Sequence, residues 1–216
     1  MQDASRPGRS DVLDQAQRAA LVEVLERAKA LGFLGKGPAH DHIEHALAYA
    51  AALPEAPSGR VADLGTGGGI PALPLALAWP QTTWTLVDRG DRRTAFLQDA
   101  LRQLDLRGRA TVITGDGEQV GQDEQHRGRY RLVTARSFGP PAELAECAAG
   151  LLEVGGTLVV SEPPEPDPAR WPAEKLEVLG LGPAQVIEAL GIRIAVIPKV
   201  AETPAKYPRR KITRWP

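Results

Sequence analysis

The residues best suited to chemistry lie in one stretch, Val61-Ala62-Asp63-Leu64-Gly65-Thr66-Gly67-Gly68-Gly69-Ile70-Pro71. A short apolar run breaks there into a glycine turn, the pattern of a strand ending beside a ligand. Glycines let the backbone bend sharply and let a ligand approach with no Cβ in the way. A dinucleotide fingerprint needs Gly-x-Gly-x-x-Gly, but counted from Gly65 its last position is Ile70. Asp63 would also repel a pyrophosphate. It suits a ligand with a cationic end, such as the amino group of a methionine moiety.

Two more acidic positions follow at strand ends. The next apolar run closes at Val87-Asp88, about 23 residues after Gly65, where a carboxylate can accept both hydroxyls of an adenosine ribose. A third run ends in Gly115-Asp116-Gly117-Glu118, read as a short acidic loop able to bind an adenine amino group. Glycine turn, ribose acid and adenine loop fall in the order that S-adenosylmethionine requires. The expected cofactor residues are Asp63, Gly65, Thr66, Gly67, Gly69, Asp88 with Arg89 beside it, Asp116, Gly117 and Glu118.

The elements that must position these residues alternate. Strands are expected at 60–64, 83–88, 111–114, 130–135 and 156–161, and helices at 70–79, 91–104, 143–152 and 171–179. Two last strands, 184–188 and 192–198, are separated by Ala189-Leu190-Gly191, too short for a helical crossover and so an antiparallel hairpin. The fold class is α/β: a mostly parallel seven-stranded sheet with helices on both faces and a C-terminal antiparallel hairpin. Before it, residues 1–10 read as a loose arm. Apolar residues at helical spacing over 11–34 and 42–53 make a helical extension, 1–55, ahead of an α/β domain at 56–216. Those helices are expected to lie over the cofactor cleft.

Composition bounds the rest. The chain has 216 residues, 43% hydrophobic and 25% charged, with a net charge of −1, an ordinary globular balance that excludes global disorder. Nucleic acid binding through the whole surface would call for a more basic chain. Positive charge is local: Arg127, Arg129, Arg131 and Arg136, then Lys199, Lys206, Arg209, Arg210, Lys211 and Arg214. One cysteine, Cys147, excludes an internal disulfide framework and reads as a core thiol. His40, His42 and His45 with Asp41 and Glu44 are read as packing or surface residues, with no metal expected. The polar N-terminus and short apolar runs imply a soluble, cytoplasmic protein with no membrane partner.

The glycine turn with its Ile-Pro, Asp88, the run Thr134-Ala135-Arg136-Ser137-Phe138 and the tail Thr203-Pro204-Ala205-Lys206-Tyr207-Pro208-Arg209-Arg210 resemble the RsmG (GidB) family. Those are bacterial methyltransferases acting on guanine N7 of small-subunit ribosomal RNA. The resemblance implies a class I S-adenosylmethionine-dependent (Rossmann-like) methyltransferase fold over 56–216, with cofactor contacts at the turn, Asp88 and residues 116–118. It also implies a substrate-positioning role for Arg136 and RNA contacts from Lys206, Arg209, Arg210 and Lys211. Where the family carries Lys-Gly after its fifth strand, this chain has Ser161-Glu162-Pro163-Pro164, a reversal of charge at the mouth of the site. The family's N-terminal Trp-Asn and Asn-Leu-Thr signature is absent.

Guanine N7 offers a free lone pair and loses no proton, so its methylation needs no general base. A hydroxyl acceptor would need one, from His42, His45 or Glu162; Glu162 stands as the second catalytic candidate beside Arg136. The expected protein is a monomeric methyltransferase working on small-subunit RNA or a ribosomal particle. A diverged enzyme acting on a small molecule or peptide, or a non-catalytic binder of S-adenosylmethionine, stays open at this point.

Overall fold

The computed structural model describes residues 12–216, so the arm read at 1–10 lies outside the described residues. Helix α1 (Gln15–Ala30) opens on a capping box in which the Asp14 carboxylate accepts from the Gln17 amide while the Gln17 side chain accepts from that of Asp14. This satisfies amides the first turn leaves unpaired. Leu21, Val24, Leu25 and Ala28 recur at helical spacing and are buried. After the glycine-rich 32–37, α2 (Ala39–Ala51) buries Ile43, Ala46, Leu47 and Tyr49.

Strands and helices then alternate through β1 (Gly59–Leu64), α3 (Ala72–Ala78), β2 (Thr82–Asp88), α4 (Asp91–Gln103), β3 (Ala110–Thr114), α5 (Gly117–Gln122), β4 (Tyr130–Ala135), α6 (Pro141–Leu151) and β5 (Leu152–Ser161). The chain closes with α7 (Ala173–Val178) and the hairpin β6 (Gln185–Ala189) and β7 (Ile192–Pro198). The sheet order is β3-β2-β1-β4-β5-β7-β6; β7 pairs antiparallel with both β5 and β6, and the other neighbours pair parallel. The first two strand-to-strand crossovers run outward from β1 and the next begins on its other side. The carboxyl ends of β1 and β4 therefore flank a topological switch point, where ligands bind in open α/β sheets.

Side chains alternate across the sheet and build two cores. Leu132 and Val159 join a cluster with α1, α2, α3 and α4, whereas Val133, Leu158 and Val160 join one with α6, α7 and Val120 of α5. The helices of 15–51 thus share an apolar core with the sheet. Tyr49 ties α2 to the sheet's working edge: its buried hydroxyl donates to the Ala135 carbonyl at 2.8 Å and accepts from the Ser161 amide at 3.0 Å.

The structure departs from the sequence reading in three places. Residues 117–122 form α5 where a loop was expected, helical despite Gly117 and Gly121 because it packs on α6. Strand β5 begins at Leu152 and not 156, with an irregular register against β4 between Tyr130 and Leu132. Trp171 precedes α7, buried at the edge of the Trp215 ring, whose centroid lies 6.2 Å away.

The basic tail is docked along α6. Pro208 crosses so close to Gly121 and Gly150 that a Cβ on Gly150 would lie 2.7 Å from Pro208 Cδ. Arg127 donates to the carbonyls of Tyr207 at 2.6 Å and Thr203 at 2.9 Å. Thr203 Oγ1 in turn donates to the Ala149 carbonyl at 2.8 Å. Arg209 is the main clasp. Its Nε and Nη2 both donate to the Glu146 carboxylate, and its amide adds a bond of 3.0 Å. Glu146 has no exposed surface, while Arg209 is 32% exposed. Removing one partner of a fully buried pair costs about 3–5 kcal/mol, and the partial exposure of Arg209 lowers that. Arg209→Ala should therefore lose about 2 kcal/mol in denaturant unfolding, whereas Arg210→Ala, on an exposed side chain, should move stability by less than about 0.5 kcal/mol.

Candidate active site

A cleft of about 980 Å³ lies over the carboxyl ends of the parallel strands. The glycine turn forms its floor. Gly65 has φ of +67° and sits where a Cβ would lie 2.9 Å from Phe138 Cδ2, so both the left-handed backbone and the packing require glycine. The turn is stapled to the end of β2: the amides of Gly65 and Thr66 donate to the Val87 carbonyl at 2.8 and 3.1 Å, and the Gly67 amide donates to Asp88 Oδ2 at 2.9 Å. Asp88 Oδ1 accepts from the Gly90 amide at 2.9 Å and from Arg93 Nε at 2.7 Å. A carboxylate offers about four acceptor positions. Three of those on Asp88 are used, leaving room to accept a ribose hydroxyl.

Asp63 lies fully buried at the end of β1. Its Oδ1 accepts from Thr134 Oγ1 at 2.7 Å, and its Oδ2 has no partner among the described residues. Burial pushes the carboxyl up to about 7, outweighing the Thr134 and Thr66 hydroxyls and the Arg136 charge, which all favour the ionised form. On the far side of the switch point, α2 and the end of β4 bring Arg136, His42 and His45 together. Arg136 Nη1 donates to His42 Nδ1 at 3.3 Å, so Nδ1 carries no proton and Nε2–H donates to the Gly35 carbonyl, also at 3.3 Å. Burial and the Arg136 charge push His45 down to about 4, and the same causes lower His42. At neutral pH both rings are uncharged beside a guanidinium that has no carboxylate partner among the described residues.

The structure gathers most of the expected site residues. Gly65, Thr66, Gly67, Asp88, Arg89, Asp116, Gly117, Glu118, Arg136 and Glu162 all line the cleft. Asp63 lies below its floor, and Gly69 packs against Leu73 at the start of α3. Lys206 and Arg210 line a neighbouring depression of about 550 Å³ that shares Asp116 and Glu118 with the cleft, and Lys211 is exposed. Two of the expected residues are engaged by other side chains. Arg209, read as an RNA contact, spends its guanidinium on Glu146. Glu162, read as a catalytic candidate, has a side chain only 2% exposed, whose Oε1 accepts from Arg170 Nε at 3.3 Å and Trp171 Nε1 at 2.9 Å. A carboxylate so held is a clamp and not a free base.

Three residues of the site escaped the sequence reading. Glu143, at the start of α6, joins Asp116 and Glu118; burial and those charges raise its carboxyl. Phe138 walls both Gly65 and Gly117. Arg170 reaches the cleft from the proline-rich segment. Only the Thr134-Ala135-Arg136-Ser137-Phe138 run carried a signal for any of them, in Phe138. Among the described residues no three His, Cys, Asp or Glu side chains are grouped to hold a metal ion. Burial raises the Cys147 thiol far above its ordinary value, leaving it unreactive in the core.

Comparison with known proteins bears on this geometry. A family model described as "GidB: rRNA small subunit methyltransferase G" matches residues 36–162. A protein of Roseiflexus castenholzii named "Ribosomal RNA small subunit methyltransferase G" is 37% identical over 174 residues, 78% of this chain and 74% of that one. The chain belongs to this family. The fold recurs in an O-methyltransferase family protein from Burkholderia thailandensis, with a TM-score of 0.56 and 15% identity over 86% of this chain and 60% of that one. It recurs again in "PigF with SAH", with a TM-score of 0.60 and 16% identity over 86% and 63%. No helix among the described residues is long and apolar enough to cross a membrane.

As a methyltransferase of this family, the chain uses S-adenosylmethionine, and the residues present fit it. The unpartnered Asp63 oxygen lies beneath a cradle that a Cβ at Gly65 would fill, and Asp88 keeps an acceptor position open. A cationic amino group over that floor would offset the buried carboxylate. The folded protein holds a proton on Asp63 up to about pH 7, whereas the unfolded chain releases it near about pH 4. Between those values the folded state binds more protons, so stability of the cofactor-free protein should fall as pH rises from about 4 to 7 and then level. Affinity for S-adenosylmethionine should rise through the same upper range as Asp63 ionises. Asp63→Asn should flatten both profiles in thermal melts and calorimetry, and weaken cofactor binding about tenfold at pH 8, roughly 1.4 kcal/mol.

Proposed function

We propose that this chain transfers the methyl group of S-adenosylmethionine to N7 of a guanine in small-subunit ribosomal RNA. The observation that carries this reading is the make-up of the cleft's acceptor half. It holds a guanidinium without a carboxylate partner and two uncharged imidazoles, and its one carboxylate is already clamped. A strand of phosphates matches that charge, and an acceptor that sheds no proton makes no demand on the two imidazoles, whose basicity burial and Arg136 have lowered.

The sulfonium supplies an activated methyl group that carries its own leaving group. What the protein must add is alignment and exclusion of water. The glycine turn and Asp88 fix the cofactor half, while Asp116, Glu118 and Glu143 offer acceptors for an exocyclic amino group. Arg136, held by His42, orients the acceptor across the switch point. A cleft of about 980 Å³ sits at the upper end of ordinary ligand pockets, with room for a cofactor and a base turned out of its stack. The tail cations Lys206, Arg210 and Lys211 lie outside the cleft, where the flanking backbone would pass.

The reading is tested by offering the purified protein labelled S-adenosylmethionine with small-subunit particles lacking the N7 modification, beside a pool of cellular small molecules. Label on a guanine of the RNA is expected; label only in the small-molecule pool would overturn the reading. Arg210→Ala/Lys211→Ala should weaken RNA binding and reduce the slope of log affinity against log salt by about 1.5. Cofactor affinity, measured by calorimetry, should stay unchanged.

A further inference from the structure

Between β5 and α7 the chain reads Glu162-Pro163-Pro164-Glu165-Pro166-Asp167-Pro168-Ala169-Arg170-Trp171-Pro172. Five prolines restrict φ along it and remove five donors. The segment is pinned at both ends. At its root the Glu162 amide donates to the Arg193 carbonyl at 2.8 Å. At its far end Asp167 caps a turn, its Oδ1 accepting from the Ala169 amide at 3.0 Å and its carbonyl from the Arg170 amide at 3.1 Å. Trp171 then lodges against Trp215 of the tail. The segment therefore folds back and returns Arg170 to Glu162, on the cleft wall beside β5.

The pairing between them is partial. Arg170 uses only Nε, donating to Glu162 Oε1, while Trp171 Nε1 takes the same oxygen. The guanidinium carbon lies 5.4 Å from the centroid of the Trp171 ring, which fixes the guanidinium against an aromatic surface. Among the described residues no oxygen accepts from either Nη of Arg170, and its side chain is 20% exposed at the cleft. Four N–H donors are thus left over on a cation whose position is already set. A guanidinium with both terminal nitrogens free suits a phosphate, whose oxygens it can bind in pairs. Glu162 alone would repel that phosphate. Bound to Nε it holds the guanidinium in place and is neutralised by it.

We propose that Arg170 is a phosphate-binding residue of the acceptor site, its two Nη groups taking the backbone phosphate of the RNA strand that presents the target base. This deepens the reading of the cleft as an RNA-methylating site and rests on it. Arg170, returned by the segment after β5, and Arg136, just past the end of β4, flank the acceptor half. Glu162 and Trp171 act as positioning residues for Arg170.

The test compares the wild type with Arg170→Gln and with Glu162→Gln/Arg170→Gln, in which no buried carboxylate is left unpaired. Each protein is assayed for binding to small-subunit RNA across a salt series, for S-adenosylmethionine affinity, and for methyl transfer. Both variants should bind the RNA about tenfold more weakly, with the salt slope reduced by about 0.7–0.9, the share of one phosphate. KM for RNA should rise more than kcat falls, and cofactor affinity should match the wild type. RNA affinity restored in the double variant would overturn the proposal, making Arg170 no more than a counter-ion for Glu162. Loss of cofactor affinity in both variants would also overturn it, assigning the bound anion to the cofactor's carboxylate. A wild-type protein that neither binds nor methylates the RNA would instead overturn the parent reading.

Discussion

The site depends on a carboxylate that water cannot reach. Asp63 has no exposed surface, one hydrogen bond from Thr134 and one oxygen without a partner. Burying such a group is unfavourable unless it is neutralised or paired. The fold imposes that arrangement through β1, which is buried along its last four residues and flanked by β2 and β4. The glycine turn over Asp63 then has to be thin, because a side chain there would separate the carboxylate from whatever lies above. A ligand carrying positive charge, bound on that floor, removes the imbalance. Cofactor affinity and the stability of the empty protein are in this way two readings of one electrostatic strain.

The opposite imbalance stands across the switch point. Arg136 has an imidazole where an arginine on a protein surface would commonly have a carboxylate, and Arg170 has only half of one. The cleft therefore presents a negative floor on the side of β1 to β3 and a positive wall on the side of β4 and β5. Donor and acceptor of the methyl group are sorted by charge before any contact to a base is made. Tyr49 holds this division in place: its one hydroxyl spans the ends of β4 and β5, and its helix carries both histidines.

Legibility in the sequence followed the range of the interactions. The glycine turn, Asp88 and the strand–helix alternation are set by local backbone needs, and all seven strands fall close to where apolar runs and turn residues place them. The hairpin was readable from the length of one turn. Helix α5 was not, because two glycines argue against it and only packing on α6 supports it. The ion pairs of Arg209 and Glu162 were not legible for the same reason: charge can be read from a sequence, but its partner cannot. Glu146 lies 63 residues from Arg209 in the chain, and Arg170 is returned to Glu162 by a proline-rich turn with no periodicity to announce it.

The central claim is that this cleft works by alignment, on an acceptor that gives up no proton. Its most direct test is the rate of a single turnover with cofactor and RNA both saturating, followed from pH 7 to 8.5. Saturation removes the contribution of Asp63 to binding, so only the transfer step is left to vary. A rate constant independent of pH and equal in H2O and D2O is the predicted result. The solvent comparison covers an imidazole base held as low as His45, which would show no pH dependence in this range. A rate constant that climbs tenfold per pH unit, or one that falls in D2O, would contradict the account, since either would place a proton removal, and hence a base, in the methyl-transfer step.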